Sequence, residues 1–185
     1  MRHAALTFAA TALAAVSSNA FAVDYLTVQQ AQAQMFPLAV QWAEKSAVLS
    51  AEQLVSVAKL GKVPARSANW KLLHALDGNG KSMGSVVVDQ VVGKYELITY
   101  AVAVDTNGSI RGVEILSYRE SHGSEIRLPA WRKQFLGKTA AAALKVGEDI
   151  ALISGATLSC EHLTDGVRRI VAVLSVLRDA GSLPA

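Results

Sequence analysis

Cysteine is nearly absent from this chain: Cys160 is the only one in 185 residues. No internal disulfide can form, so the fold must hold by its core alone. One thiol and scattered histidines do not complete a tetrahedral metal set. Also missing is any basic stripe interleaved with aromatics. Eighteen Lys and Arg against fifteen Asp and Glu give a formal net charge of +3, spread along the chain, and aromatics are 6%. That pattern does not indicate a nucleic-acid surface. Ser121, His122 and Asp105 occur without a nucleophile elbow or comparable context, so no hydrolytic triad is drawn. Asp77-Gly78-Asn79-Gly80 opens no helix, so the fingerprint of a nicotinamide site is missing too. There is no internal repeat. What remains is a chain that is 51% hydrophobic and long enough for one domain with a true core.

Part of that apolar excess sits at the start. Met1-Arg2-His3 is a short positive head, Ala4 to Val16 an apolar run, Ser17-Ser18-Asn19 a break, and Ala20-Phe21-Ala22 a small-x-small cleavage site. This order predicts a secretory signal peptide over residues 1–22. The run is too short for a comfortable membrane span. The mature chain is expected to begin at Val23 in the periplasm or another extracytoplasmic compartment; an uncleaved leader would keep it at a membrane.

Residues 23–68 read as a helical lead-in. Thr27-Val28-Gln29-Gln30 and Ser50-Ala51-Glu52-Gln53 are capping boxes. Pro37 should end the first helix and Gly61 the second, which carries Leu54, Val57 and Leu60 on one face. From residue 69 to 181 the pattern is that of one domain. Trp70 to Leu76 and Ser85 to Val92 flank Asp77-Gly78-Asn79-Gly80. Tyr95 to Val104 and Ser109 to Leu116 flank Asp105-Thr106-Asn107-Gly108. Both read as hairpins. An antiparallel sheet of at least four strands, with the helices covering one face, makes the fold class α+β. Ser117 to Arg127 is irregular, and Pro129 to Leu136 is a short helix closed by Gly137. Leu163, Val167, Ile170, Val171, Leu174 and Leu177 then trace the stripe of a long C-terminal helix. Arg168, Arg169 and Arg178 lie off its centre.

Ser154-Gly155-Ala156-Thr157 feeds that helix. A loop of small residues at a helix start presents free N–H groups and the positive end of the dipole, which accept a phosphate. Gly155 permits a close approach or a backbone angle closed to other residues. Thr157 puts a hydroxyl beside the anion, or else it simply N-caps the helix, a contribution of about 1 kcal/mol. Cys160 and His162 diverge around the same helix. A helix start lowers a thiol pKa, while a free Cys more often packs as a small hydrophobe. Lys94 and Lys138 are cations able to reach a phosphate, or solvated lysines.

Ile153-Ser154-Gly155-Ala156-Thr157-Leu158-Ser159 resembles the flavinylation motif of the FMN-binding domain found in RnfG and NqrC subunits, in NosR-type regulators and in small exported FMN-binding proteins. Val104 to Val113 resembles that family's hairpin. Tyr118-Arg119-Glu120-Ser121 resembles its His-x-Glu-Thr segment, and Trp131 to Lys138 its segment ending Phe-x-Gly-Lys. The resemblances keep the family's order over residues 94–177. They imply FMN as cofactor, joined by a phosphoester to Thr157. Ser154, Gly155, Ala156 and Leu158 would complete the phosphate loop, and Glu120 and Ser121 would contribute to the flavin pocket. They also imply a separate exported flavin transferase that makes the bond from FAD, and membrane or soluble redox partners. No catalytic residue and no metal ligand is assigned, so the chain reads as an electron-transfer module rather than a stand-alone enzyme. Two departures stand out. Ala151 occupies the place of the Asp in the family's Asp-x-x-Ser/Thr-Gly-Ala-Thr, the nearest acids being Glu148 and Asp149, and His122-Gly123 follows where the family has Pro-Gly-Leu-Gly. Non-covalent FMN, and a redox-inactive binding or assembly protein using the same pocket, are the alternatives.

Overall fold

Two aspartates set the frame of the sheet. Asp77 Oδ1 accepts from the N–H groups of Asn79 and Lys81 at 2.8 and 2.9 Å, and Asp105 Oδ1 accepts from Asn107 and Ser109, both at 2.9 Å. The carboxylate thus does the work of a backbone turn, and a glycine (Gly80, Gly108) takes the left-handed position that follows. These turns join β3 (Asn69–Leu76) to β4 (Ser82–Val92) and β5 (Leu97–Asp105) to β6 (Ile110–Tyr118). The computed structural model describes residues 23–120 and 123–184. The expected signal peptide over 1–22 lies outside the described residues, as do Ser121 and His122.

The fold is α+β. Among the described residues the sheet is antiparallel throughout and has six strands in the order β1-β6-β5-β4-β3-β2. β1 (Val23–Asp24) and β2 (Gln41–Val48) are its edges. Both come from the stretch read as a helical lead-in, which therefore adds two strands, Val23–Asp24 and Gln41–Val48, to the same sheet beside its helices. The capping boxes do open helices, with both reciprocal bonds made, in α1 (Val28–Met35) and α2 (Ala51–Gly61). Gly61 is the last residue of α2 rather than the residue beyond it, and Lys62 takes the left-handed conformation there. A Cβ on Gly61 would stand 3.0 Å from that of Ala172, so the glycine serves the close crossing of two helices.

Helices cover both faces of the sheet, not one. Tyr100, Val102 and Val104 of β5 point to the core shared with α2 and the long C-terminal helix, α4 (Thr157–Asp179). Ala101 and Ala103 alternate with them and face α1, whose Ala31 and Met35 are buried there with Phe36. Small residues on that side let the short helix lie close. All six apolar residues predicted for the stripe of α4 are buried, each contributing roughly 1.5–3 kcal/mol. Arg169, off the centre of that stripe, is nonetheless only 3% exposed. Its Nε donates to the Pro64 carbonyl at 2.9 Å, its Nη1 lies 3.5 Å from Asp89 Oδ2, and that oxygen also accepts from the Tyr100 hydroxyl at 3.1 Å. Burial and the Asp89 charge push the Tyr100 phenol well up. The network pins the middle of α4 to β4 and β5. The segment 129–136 divides into α3 (Pro129–Arg132) and a 3-10 turn, Lys133–Phe135. No helix among the described residues is long and apolar enough to cross a membrane.

Candidate functional site

The first turn of α4 opens on a cavity of about 530 Å³, within the size range of cofactor pockets. Gly155, Ala156, Thr157, Leu158 and Ser159 form one wall; Lys94, Tyr95 and Glu120 form the other. Five expected positions therefore share a wall or face it: Gly155, Ala156, Thr157, Leu158 and Glu120. Ser154 is exposed and outside that wall.

The capping alternative for Thr157 does not hold. The N-cap is Ala156, at φ −123° and ψ 25°, and among the described residues no side chain caps the helix. Thr157 is the first helical residue, exposed, with no hydrogen bond from its hydroxyl among the described residues. Twenty-three residues of aligned dipoles thus end on uncapped N–H groups at a free hydroxyl. Gly155 resolves in favour of backbone angle: its φ is +81°, and a Cβ would meet nothing within 4 Å. Ser159 is buried, its side chain bonded to Tyr118, whose phenol is nonetheless pushed up by burial.

Glu120 is tied to the β4–β5 turn. Its Oε1 accepts from the N–H groups of Tyr95 and Glu96 at 2.6 and 3.0 Å. Burial pushes its carboxyl up, but the backbone donors of Glu96, Tyr95 and Lys94, with the Lys94 charge, pull it below the ordinary value. Gly93 makes room, since a Cβ there would stand 2.5 Å from Glu120 Oε1. Tyr95 is a site residue absent from the sequence reading, its bond to Glu120 spanning 25 residues, and Lys94, read as a phosphate-reaching or a solvated cation, lines the cavity with it.

The acids near the loop are occupied elsewhere. Asp149 accepts from the N–H groups of Leu144 and Lys145 and pairs with Lys138 at 3.0 Å, which removes that lysine from the cavity. Burial works against its ionisation, yet these partners hold its carboxyl below the ordinary value. Glu148 pairs with Lys145. At Ala151 itself, Trp131 Nε1 donates to the carbonyl at 2.7 Å and Gln134 accepts from the N–H at 2.8 Å. The loop is held by its backbone. Cys160 does not gain reactivity from the helix start: it is fully buried, and burial pushes its thiol up. His162 Nδ1 lies 2.7 Å from the Val92 carbonyl, and among the described residues no group of three His, Cys, Asp or Glu could hold a metal.

Residues 93–172 match the model of the FMN-binding domain family, a span that takes in both walls of the cavity. This stretch is an FMN-binding domain. Its cofactor is FMN. No curated protein matches the chain. Among solved structures, that of Shewanella oneidensis NqrC is similar over 78% of this chain and 87% of that one, at 15% identity and a TM-score of 0.46. The residues of the FMN-binding domain fit the group: the open helix start suits a phosphate, and the cavity leaves room beside it for a ring system.

Proposed function

We propose that this protein is an exported electron-transfer flavoprotein whose FMN is joined by a phosphoester to Thr157. The observation that carries the reading is the unpaired Thr157 hydroxyl, set at the uncapped start of a 23-residue helix in the wall of the cavity. When bound, FMN supplies the capacity to take up and pass on one or two electrons. The chain's own part is to anchor and orient. The N–H groups of the first turn of α4 hold the phosphate, Thr157 offers the nucleophilic oxygen, and the opposite wall positions the rest of the molecule. A separate exported flavin transferase would join FMN from FAD, with AMP as the leaving group. Membrane or soluble carriers outside the cytoplasm would exchange electrons with the product. A tether would keep in place a cofactor not made in that compartment.

Co-expression with an exported flavin transferase, followed by denaturation and acid precipitation, tests this directly. Yellow colour that stays with the pellet supports the phosphoester, and a colourless native protein would overturn the flavin reading. Ala151 favours a second reading, non-covalent FMN in the same cavity, because no acid stands at the motif position and Glu148 and Asp149 are already paired. Under that reading the colour leaves with the supernatant. Ala151→Asp would then raise the attached fraction, since residue 151 is exposed and its backbone contacts do not depend on the side chain.

A further inference from the structure

Tyr95 is an aromatic residue left 75% exposed on a turn that the fold takes trouble to fix. The turn between β4 and β5 is closed by the Gly93 N–H donating to the Glu96 carbonyl at 2.8 Å. Glu120, arriving from the end of β6, then captures the Tyr95 and Glu96 N–H groups on a single carboxylate oxygen. Bonds from N–H groups to a charged acceptor are the strong kind, and Gly93 leaves the space that the carboxylate needs. Such a clamp adds nothing to the hydrophobic core, because the backbone it fixes carries an exposed ring and belongs to the lining of the cavity. The lining of the cavity joins the phosphate-ready helix start to this turn. A planar heteroaromatic anchored at the first would extend toward the second. Lys94 Nζ lies over one face of the Tyr95 ring, 4.9 Å from its centroid, so a stacked flavin would take the other face.

From this geometry we infer that Tyr95 is the stacking wall for the isoalloxazine of the bound FMN, and that Glu120 is the positioning residue that holds Tyr95 there. The inference rests on the FMN reading above. It gives Glu120, expected in the flavin pocket, the specific role of holding the turn.

Flavin emission reports the contact, because an electron-rich ring stacked on isoalloxazine quenches it. The experiment uses the full chain carrying FMN, attached or added in solution, with bound flavin quantified by absorbance. Tyr95→Leu is expected to raise emission per bound flavin several-fold and to weaken the visible circular dichroism of the flavin bands. Tyr95→Trp is expected to keep both signals near the wild-type values. Glu120→Ala is expected to match Tyr95→Leu and to speed amide exchange at residues 95 and 96; Glu120→Gln, which still offers an oxygen acceptor, is expected to restore much of the quenching. If free FMN is used, loss of the aromatic pair is expected to raise its Kd by about two- to tenfold. Unchanged emission in Tyr95→Leu with flavin bound would overturn this inference while leaving the FMN reading intact. Absence of bound flavin in the wild-type chain would overturn both.

Discussion

The helices α1 and α2, 8 and 11 residues long, each open with a complete capping box, whereas the 23-residue α4 opens with no side-chain cap at all. Short helices are marginal without help at their ends, and Thr27 and Ser50 supply it. α4 draws its stability from elsewhere: a fully buried apolar stripe and the Arg169 anchor in mid-helix. Its first turn can therefore stay bare at little cost to folding. The contrast teaches where to look for binding in this fold. The helix that could best tolerate unsatisfied N–H groups is the one that turns them toward a cavity.

Four experiments break or sharpen that contrast. The largest effect is expected at the anchor. Arg169→Ala should destabilise the protein by about 3 kcal/mol in chemical denaturation, the low end for breaking a buried pair because the Asp89 side chain keeps 27% exposure. At the capped helices, Ser50→Ala and Thr27→Ala should each cost about 1 kcal/mol by the same measurement. At the bare start, Thr157→Ala should shift stability by less than about 0.5 kcal/mol, since no cap is lost. A cost near that of Ser50→Ala would mean that Thr157 caps after all.

The smallest effect concerns pH. His74 is buried on β3, its Nδ1 2.8 Å from the Ser85 hydroxyl, and burial followed by the Lys45 charge lowers its pKa from 6.5. The unfolded chain then binds the proton more readily than the folded one. The stability contribution is full above pH 6.5 and is lost as pH falls through the lower folded value. Denaturation midpoints between pH 7.5 and 5.5 should decline, and His74→Gln should flatten that decline.

Local chemistry was legible in the sequence, and long-range placement was not. The capping boxes and the two aspartate turns need only residues within four positions, so their patterns predicted them. β2 went unread because an edge strand with mixed exposure on both faces shows no period of two. The second covered face of the sheet was written only as the alternation of large and small residues from Tyr100 to Val104. The burial of Arg169 could not be read from the sequence because its partners, Pro64 and Asp89, are 105 and 80 positions away. In the site, Gly155 and Thr157 were legible as a loop and helix start. That Thr157 lies one residue inside the helix depends on the backbone of Ala156, which composition does not reveal. Tyr95 carried no motif of its own, and only the bond to Glu120 brings it to the cavity wall.

On the function proposed above, the bare start of α4 is reserved for the phosphate of FMN at Thr157. Intact mass of denatured chains, wild type against Thr157→Ala after co-expression with an exported flavin transferase, tests it most directly. The wild type is expected to gain the mass of FMN less one water, and Thr157→Ala to gain nothing while unfolding at the wild-type midpoint. An unmodified wild type, or the same added mass on Thr157→Ala, would contradict it.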